Sequence, residues 1–113
     1  MEFKETKSIY HQIADMFYEN ILLKKWTENE RIPSVREIAV MLEVNPNTAL
    51  RAFAFLEEKQ VIFNKRGIGY FVCDGGYERA LELRKEIFTK HELPEFKKTL
   101  KLLNIEIEDL KNL

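Results

Sequence analysis

The sequence predicts a mainly α-helical fold with a small β-hairpin. Three observations support this prediction. Apolar residues recur at helical spacing along most of the chain, two helix-start signals lie close together, and two short β-prone runs flank a basic tip that contains glycine. The chain has 113 residues, of which 45% are hydrophobic, which suits one domain with a real core and a short addition.

The first predicted helix begins after Ser8, which has the chemistry of an N-cap, and ends near Trp26. Its apolar face recurs at intervals of three and four residues and consists of Ile9, Ile13, Met16, Phe17 and Ile21. Residues 27–31 have no helical apolar stripe, so we expect a loop or a short extended piece there.

The stretch RIPSVREIA predicts a second, short helix. Ser34 and Glu37 have the spacing of a capping box, and Pro33 keeps the residue before it out of helical conformation. The helix is expected to run from Val35 to Leu42. Its predicted buried residues are Val35, Ile38, Ala39 and Leu42.

The stretch NPNT predicts a third helix a few residues later. Asn45 is a good N-cap, and Pro46 suits the first helical position because an N–H there would be unbonded. The helix is expected to continue to about Lys59, with Ala49, Ala52, Phe53 and Leu56 on its core side. Two helices joined by so short a connection form a candidate helix-turn-helix.

The predicted hairpin follows this pair of helices. Residues 61–63 and 70–72 are β-prone and enclose the tip NKRGIG. A hairpin in this place has the position of a wing, so the first part of the chain is predicted to be a winged helix-turn-helix. A hairpin tip also explains Gly67 and Gly69 better than a phosphate-binding loop does.

Gly75 and Gly76 are predicted to mark a flexible boundary between a first domain, residues 1–75, and a helical region, residues 76–113. We expect two or three helices in that region, one of them beginning at Pro94. So few helices cannot enclose a core of their own. Five apolar residues are therefore expected to lack enough partners within one chain: Leu83, Ile87, Phe96, Leu100 and Leu103.

The sequence contains no arrangement typical of catalysis. His11 and His91 fall in separate predicted helices, and no serine, cysteine or lysine has an evident local base. Cys73 is the single cysteine, so an internal disulfide is excluded and a packing role is favoured over a reactive thiol. Zinc-type spacing of cysteine and histidine is also missing. We therefore expect no enzyme, no cofactor and no bound metal.

The compartment is predicted from what the sequence lacks. The opening segment MEFKETK carries charges of both signs and leads into an amphipathic stretch, unlike a signal peptide. No apolar run is long enough to span a membrane. Together with the single cysteine, these features predict a soluble cytoplasmic protein.

Net charge does not by itself predict a nucleic-acid partner. The formal net charge is −1, and residues 1–75 hold 10 basic and 11 acidic residues, so a DNA-binding hypothesis depends on where the charges lie.

The N-terminal part of a recognition helix faces the major groove. Asn47, Thr48 and Arg51 lie off the apolar face there and can bond base edges or phosphates. N-capping alone explains Asn45.

Further basic residues lie outside the third helix. Arg36 is at the second position of the second helix, where a cation opposes the helix macrodipole. An external anion such as a DNA phosphate would account for it, and an ion pair with Glu37 or Glu43 is the alternative. Lys65 and Arg66 at the hairpin tip either meet phosphates or the minor groove, or are ordinary solvated turn residues.

The stretch RIPSVREIAVMLEVNPNTALRAFAFLEEKQVIFNKRGIGYFV resembles the N-terminal winged helix-turn-helix domain of GntR-family bacterial transcription regulators. VNPNT and the short C-terminal region are similar to the YtrA-type branch of that family. The resemblance covers about Ser8 to Val72. It implies DNA contacts by Arg36, Asn45, Asn47, Thr48 and Arg51 on the helices, and by Lys65, Arg66 and Gly67 in the wing.

The chain departs from the family pattern near the turn. Arg31 and Ile32 stand where many relatives have glycine and leucine, and Glu43 stands where glycine is frequent. Pro46 occupies a position at which longer GntR proteins often have a DNA-contacting arginine, so that contact is not carried over. The departures affect base specificity rather than fold.

The resemblance implies dimerisation through the C-terminal helices, and therefore a homodimeric, sequence-specific repressor of a pseudo-palindromic operator. The short C-terminal region leaves little room for the effector pocket of longer relatives. The sequence leaves open whether a small-molecule effector binds, for which a small cleft at the dimer interface is the available place. The alternative is a winged-helix module for protein interaction whose DNA face is unused. The near-neutral charge of residues 1–75 favours that alternative.

Overall fold

The structure is a computed structural model, and it describes residues 8–113. The elements in chain order are α1 (Ile9–Leu22), α2 (Val35–Leu42), α3 (Pro46–Glu58), β1 (Ile62–Lys65), β2 (Gly69–Val72), α4 (Gly76–Ile87), a π-helical turn (Phe88–Glu92), α5 (Leu93–Leu102) and a 3-10 helix (Ile107–Asn112). The mainly helical fold with one hairpin is therefore confirmed. The expectation about the segment MEFKETK lies outside the described residues.

The chain divides into two compact units within α4. The first unit ends at Leu81 and the second spans Glu82–Leu113. The assignment of residues 1–75 to DNA binding and 76–113 to dimerisation remains a prediction about function.

The core of the first unit lies between α1 and α3. The four predicted core residues of α3 are all buried: Ala49, Ala52, Phe53 and Leu56. From α1, Ile13, Phe17 and Ile21 are buried as well, whereas Ile9 at the start of the helix is 48% exposed. The buried face of α1 therefore begins one turn later than its apolar pattern suggests.

Several helices end at a left-handed residue that is not glycine: Lys24, Glu43, Gln60 and Asn104. In each case the N–H of the next residue donates a hydrogen bond to a carbonyl oxygen in the last helical turn. The donor and acceptor residues are Lys25 and Asn20, Val44 and Ala39, Val61 and Leu56, and Ile105 and Leu100. This pattern is the Schellman motif, which satisfies carbonyls that a helix end would leave unbonded. It ends α1 at Leu22, before the predicted end near Trp26.

Helix α2 has the predicted bounds, but its buried face is shorter than expected. Ile38 and Ala39 are 0% and 4% exposed, and Val35 is half-buried. The expectation that Leu42 is buried is wrong, since this residue is 36% exposed. Leu42 is the last residue of the helix, at the rim where the chain reverses direction at Glu43.

The hairpin is antiparallel, with Ile62 opposite Val72 and Lys65 opposite Gly69. The segment before α2 joins the free edge of β2 through a bridge between Arg31 and Phe71. Two backbone hydrogen bonds support it, from Ile32 N–H to the Tyr70 carbonyl at 2.9 Å and from Val72 N–H to the Glu30 carbonyl at 3.1 Å. Of the loop or short extended piece expected over residues 27–31, the structure shows a loop with a turn at residues 28–29, and Arg31 alone is bridged to the hairpin.

The second unit exposes half of its large apolar side chains. Phe96 is 48% exposed and Leu103 is 58% exposed, whereas Leu83 and Ile87 are half-buried. The expectation that Leu100 lacks partners within the chain is wrong, because this residue is only 7% exposed. The Schellman motif at Asn104 turns the chain back. In such motifs the residue after the left-handed position, here Ile105, commonly packs against a residue in the last helical turn, here Leu100.

The junction at Gly75 and Gly76 is tightly packed and is not the flexible boundary that was predicted. Gly76 is buried at the first position of α4, and a Cβ there would lie 2.7 Å from the Val61 carbonyl oxygen. The Glu28 carboxylate accepts hydrogen bonds from the N–H groups of Gly75 at 3.0 Å and Tyr77 at 3.3 Å. Close backbone approach explains Gly76, and a left-handed φ of 76° explains Gly75, better than flexibility does.

The Gly76→Ala variant is expected to lower the free energy of unfolding by roughly 1 to 3 kcal/mol, because the new methyl group must displace backbone. Urea unfolding followed by circular dichroism measures this change. Gly67→Asn is the matched control, since a Cβ at Gly67 has open space and asparagine tolerates its left-handed φ of 78°. Equal stability of Gly76→Ala and the wild type would show that the junction is loose.

Candidate nucleic-acid interface

The N-terminus of α3 is fixed by its own cap. The Asn45 side-chain oxygen accepts a hydrogen bond from the Asn47 N–H at 2.7 Å, and Pro46 occupies the first helical position. The cap that sequence reasoning favoured for Asn45 is therefore present. A bidentate pairing of Asn45 with adenine would have to share the same oxygen, because such a pairing uses both ends of the amide.

One side of α3 is exposed over its N-terminal half. Asn47 and Arg51 are exposed, and Thr48 is half-buried at the edge of the core. Leu50 lies on the exposed side as well, at 48% exposure, and sequence reasoning missed it. A leucine in a helix is usually assigned to the core. Its exposure could have been predicted from its position three residues after Asn47, which places both residues on the same helical face.

The Arg51 side chain lies against a ring of α1. Its guanidinium carbon is 4.6 Å from the centroid of the Tyr10 ring. No ion pair to Arg51 occurs among residues 8–113. Arg51 is therefore a surface cation with a defined neighbour and with donors left for a ligand.

The capping box at the start of α2 is confirmed. The Glu37 carboxylate accepts the Ser34 N–H at 2.9 Å, and the Glu37 N–H donates to the Ser34 hydroxyl at 3.1 Å. The Ser34 N–H, followed by the Ser34 side chain, holds the pKa of Glu37 below its ordinary value. Within the described part of the chain neither Glu37 nor Glu43 pairs with Arg36, so the alternative reading of Arg36 as an ion-pair partner is wrong there.

The wing tip presents cations on an open turn. Lys65 ends β1, and its Nζ is 4.7 Å from the centroid of the Phe71 ring. Arg66 and Gly67 are exposed, and the turn is closed by a 2.9 Å hydrogen bond from the Ile68 N–H to the Lys65 carbonyl. This geometry is that of a hairpin tip, as expected, and not of a phosphate-binding loop before a helix.

The predicted DNA-binding residues fall on two sets of elements. Arg36 belongs to α2, and Asn45, Asn47, Thr48 and Arg51 belong to α3 and its cap, so the helix-turn-helix carries these five. Lys65, Arg66 and Gly67 lie apart from them, at the end of the hairpin. The hairpin is tied to α3 by the rings of Phe53 and Tyr70, whose centroids are 4.7 Å apart.

Other chemistry receives little support from the described residues. Burial raises the pKa of the half-buried Cys73 thiol, which favours the protonated form and the predicted packing role. Within residues 8–113 no group of histidine, cysteine, aspartate and glutamate side chains could hold a metal ion. In the same range no helix has the length and apolar character needed to cross a membrane.

Comparison with known proteins identifies relatives that cover most of the chain. The model of the bacterial regulatory proteins of the gntR family matches residues 9–72. The HTH-type transcriptional regulator YhcF of Bacillus subtilis is 31% identical over 109 residues, which cover 96% of this chain and 88% of YhcF. The HTH-type transcriptional repressor YtrA of the same organism is 30% identical over 79 residues, covering 70% of this chain and 61% of YtrA.

A solved structure agrees with these sequence matches. A GntR-family transcriptional regulator from Bacteroides thetaiotaomicron is 45% identical and superimposes with a TM-score of 0.69. The match covers 93% of this chain and 91% of that protein. The similarity therefore includes the region beyond the wing.

The capping box makes the acid side of the stability profile depend on Glu37. The pKa of the Glu37 carboxyl is lower in the folded than in the unfolded protein. The stabilisation of the fold by the ionised Glu37 is therefore fully present above the unfolded-state pKa, and it is lost as the pH falls through the folded-state pKa. Ser34→Ala is expected to raise the pKa of Glu37, as measured by NMR titration of its Cδ. Ser8→Ala is the matched control, because Ser8 makes no side-chain cap bond. An unchanged Glu37 titration in Ser34→Ala would contradict the assigned cause.

Proposed function

Because the chain belongs to the GntR family of bacterial regulatory proteins, and is thus a transcription regulator with a DNA-binding domain and not an enzyme, we propose that it represses transcription by binding a pseudo-palindromic operator as a homodimer. The observation that carries this proposal is the exposed polar row on α3, together with Arg36, which forms no ion pair within residues 8–113. The repressor role is taken from the similarity to YtrA, a transcriptional repressor.

The recognition helix of this proposal is α3. Its N-terminal half enters the major groove, where the Asn47 amide can pair with adenine and the Arg51 guanidinium can reach guanine or a phosphate. Thr48 bonds a base edge or a phosphate from the edge of the same surface. Leu50 adds an apolar contact of the kind that recognises a thymine methyl group.

Phosphate contacts come from the flanking elements. Arg36 lies in the first turn of α2 and has no carboxylate partner within residues 8–113, so a DNA phosphate is its natural counter-ion. Lys65, Arg66 and Gly67 at the wing tip follow the adjacent backbone or the minor groove. Such contacts fix the register of the protein on the duplex but carry no sequence information.

The homodimer is proposed to form through the second unit. Phe96 and Leu103 each expose about half of their surface, and Leu83 and Ile87 are half-buried. Exposed apolar residues in such number are typical of an interface in a small helical region. A two-fold dimer would present two copies of α3 to half-sites separated by whole helical turns of DNA.

A protein-interaction module is the second candidate function. The near-neutral charge of residues 1–75 favours it, and so does an apolar pair on α2, Val40 and Met41, which are 73% and 61% exposed. A nonspecific duplex at low salt separates the two functions. An unused DNA face would show no attraction to that duplex, whereas a repressor would bind it weakly and release it as salt is added.

DNA binding is tested with a duplex that the wild-type protein selects from a random-sequence pool. Fluorescence anisotropy should show tight binding to the selected duplex, weaker binding to a scrambled one, and a Kd that rises steeply with salt because phosphate contacts release counter-ions. Arg51→Ala is expected to cost on the order of 1 to 3 kcal/mol of binding with little loss of fold.

The matched control for Arg51→Ala is Lys59→Ala, which removes an exposed cation that also lies over a ring, at the other end of α3. Its binding should stay within about twofold of the wild type, which corresponds to less than the cost of one specific contact. Failure of the wild-type protein to select any duplex would sink the proposed function. Wild-type affinity of Arg51→Ala would remove Arg51 from the site.

Dimerisation is tested by sedimentation equilibrium. The wild-type protein should be a dimer at micromolar concentration, and Phe96→Asp should weaken the dimer by at least about tenfold, because a buried carboxylate replaces an aromatic anchor. Lys98→Asp, an exposed change on the same helix, is the matched control. A monomeric wild type, or a Phe96→Asp protein that dimerises equally well, would contradict the proposed interface.

A further inference from the structure

A cluster of three rings and one cation connects the first turn of α1 to the exposed face of α3. We call it the α1–α3 aromatic platform and define it as Tyr10, His11 and Phe55 with the cation Arg51. The Tyr10 ring lies 4.3 Å from His11 and 6.1 Å from Phe55, and His11 is 5.5 Å from Phe55, all between ring centroids. The Arg51 guanidinium lies over the ring of Tyr10.

The platform holds the Tyr10 ring in place from two sides. Phe55 is half-buried in α3, one turn after Arg51, and meets Tyr10 edge to face. His11 packs beside Tyr10, and its Nδ1 is 2.9 Å from the Ser8 hydroxyl oxygen at the helix start. Edge-to-face packing of this kind restricts ring motion and is more favourable than burial alone. The ring therefore presents a fixed face to the Arg51 guanidinium.

We propose that Tyr10 is a positioning residue for operator recognition, whose ring face holds the Arg51 guanidinium ready to bind DNA. This inference rests on the proposed function, in which Arg51 contacts the operator. Tyr10 lies on α1, outside the helix-turn-helix, so the first turns of α1 take part in DNA binding through Arg51.

The geometry suits positioning rather than competition with DNA. A cation over a ring is attracted through its face, whereas guanidinium bonds guanine and phosphate through N–H donors at its edge. No carboxylate competes for Arg51 among residues 8–113. The ring can therefore restrict the rotamers of a long side chain before DNA arrives, and less conformational entropy is lost when the complex forms.

A double-mutant cycle on the selected duplex tests the inference. Tyr10→Leu removes the ring face and should weaken binding roughly three- to tenfold, whereas it should change binding less than about twofold when Arg51→Ala is already present. Tyr10→Phe keeps the face and loses the hydroxyl, so it is the matched control and should bind like the wild type. Binding to a scrambled duplex should change little in Tyr10→Leu, whereas a purely structural role would weaken both duplexes alike.

The Arg51 Nε–Hε resonance in the NMR spectrum of the free protein reports the ring contact without DNA. It should be displaced by the ring current in the wild type and in Tyr10→Phe, and should lie at the position of free arginine in Tyr10→Leu. A wild-type resonance at the free-arginine position would overturn the inference. This measurement is made on the wild-type protein, so it does not depend on whether Tyr10→Leu folds.

Three binding outcomes would overturn the inference. In the first, Tyr10→Leu binds the selected duplex like the wild type while Arg51→Ala binds it weakly. In the second, Tyr10→Leu weakens binding equally with and without Arg51→Ala. Either result leaves the proposed function intact. A wild-type protein that selects no duplex overturns the proposed function and this inference with it.

Discussion

The position of α3 depends on Phe53, a fully buried ring that α1 and the hairpin share. Phe53 meets Phe17 of α1 at 5.1 Å and Tyr70 of β2 at 4.7 Å, with the ring planes steeply inclined in both contacts. Phe17 in turn meets Trp26, at 5.1 Å, just beyond the end of α1. Aromatic contacts of this geometry fix mutual orientation as well as distance. Helix α3 and the wing are therefore held on one rigid core.

Helix α2 shows how local devices keep a short element in place. It has eight residues, which is too few for an isolated helix, and it buries Ile38 and Ala39 against the rest of the unit. The Ser34 and Glu37 capping box satisfies its first turn, and the left-handed Glu43 closes its last turn. The turn between α2 and α3 is thereby fixed at both ends, which sets where Arg36 stands relative to the start of α3.

The use of the acidic residues resolves the apparent conflict between a near-neutral chain and a DNA-binding surface. Glu28 accepts N–H groups at the start of α4, Glu30 accepts the Thr27 N–H at 2.7 Å, and Glu37 caps α2. These carboxylates bond backbone N–H groups rather than the cations of the candidate interface. Arg36 and Arg51 have no ion-pair partner within residues 8–113, so a formal charge of −1 still allows a locally cationic face.

The sequence alone predicted the three helices and the hairpin of the first unit, because their start signals and apolar spacing are local. Ser34 with Glu37 and Asn45 with Pro46 located the starts of α2 and α3, and the two β-prone runs located the wing. Tertiary structure decided what depends on distant parts of the chain. Gly76 is a point of close packing because Val61 lies against it, Leu100 is buried although its pattern suggested exposure, and Tyr10 meets Arg51 although α2 lies between their helices in the sequence. Such contacts join residues that no local spacing relates, so only the folded chain shows them.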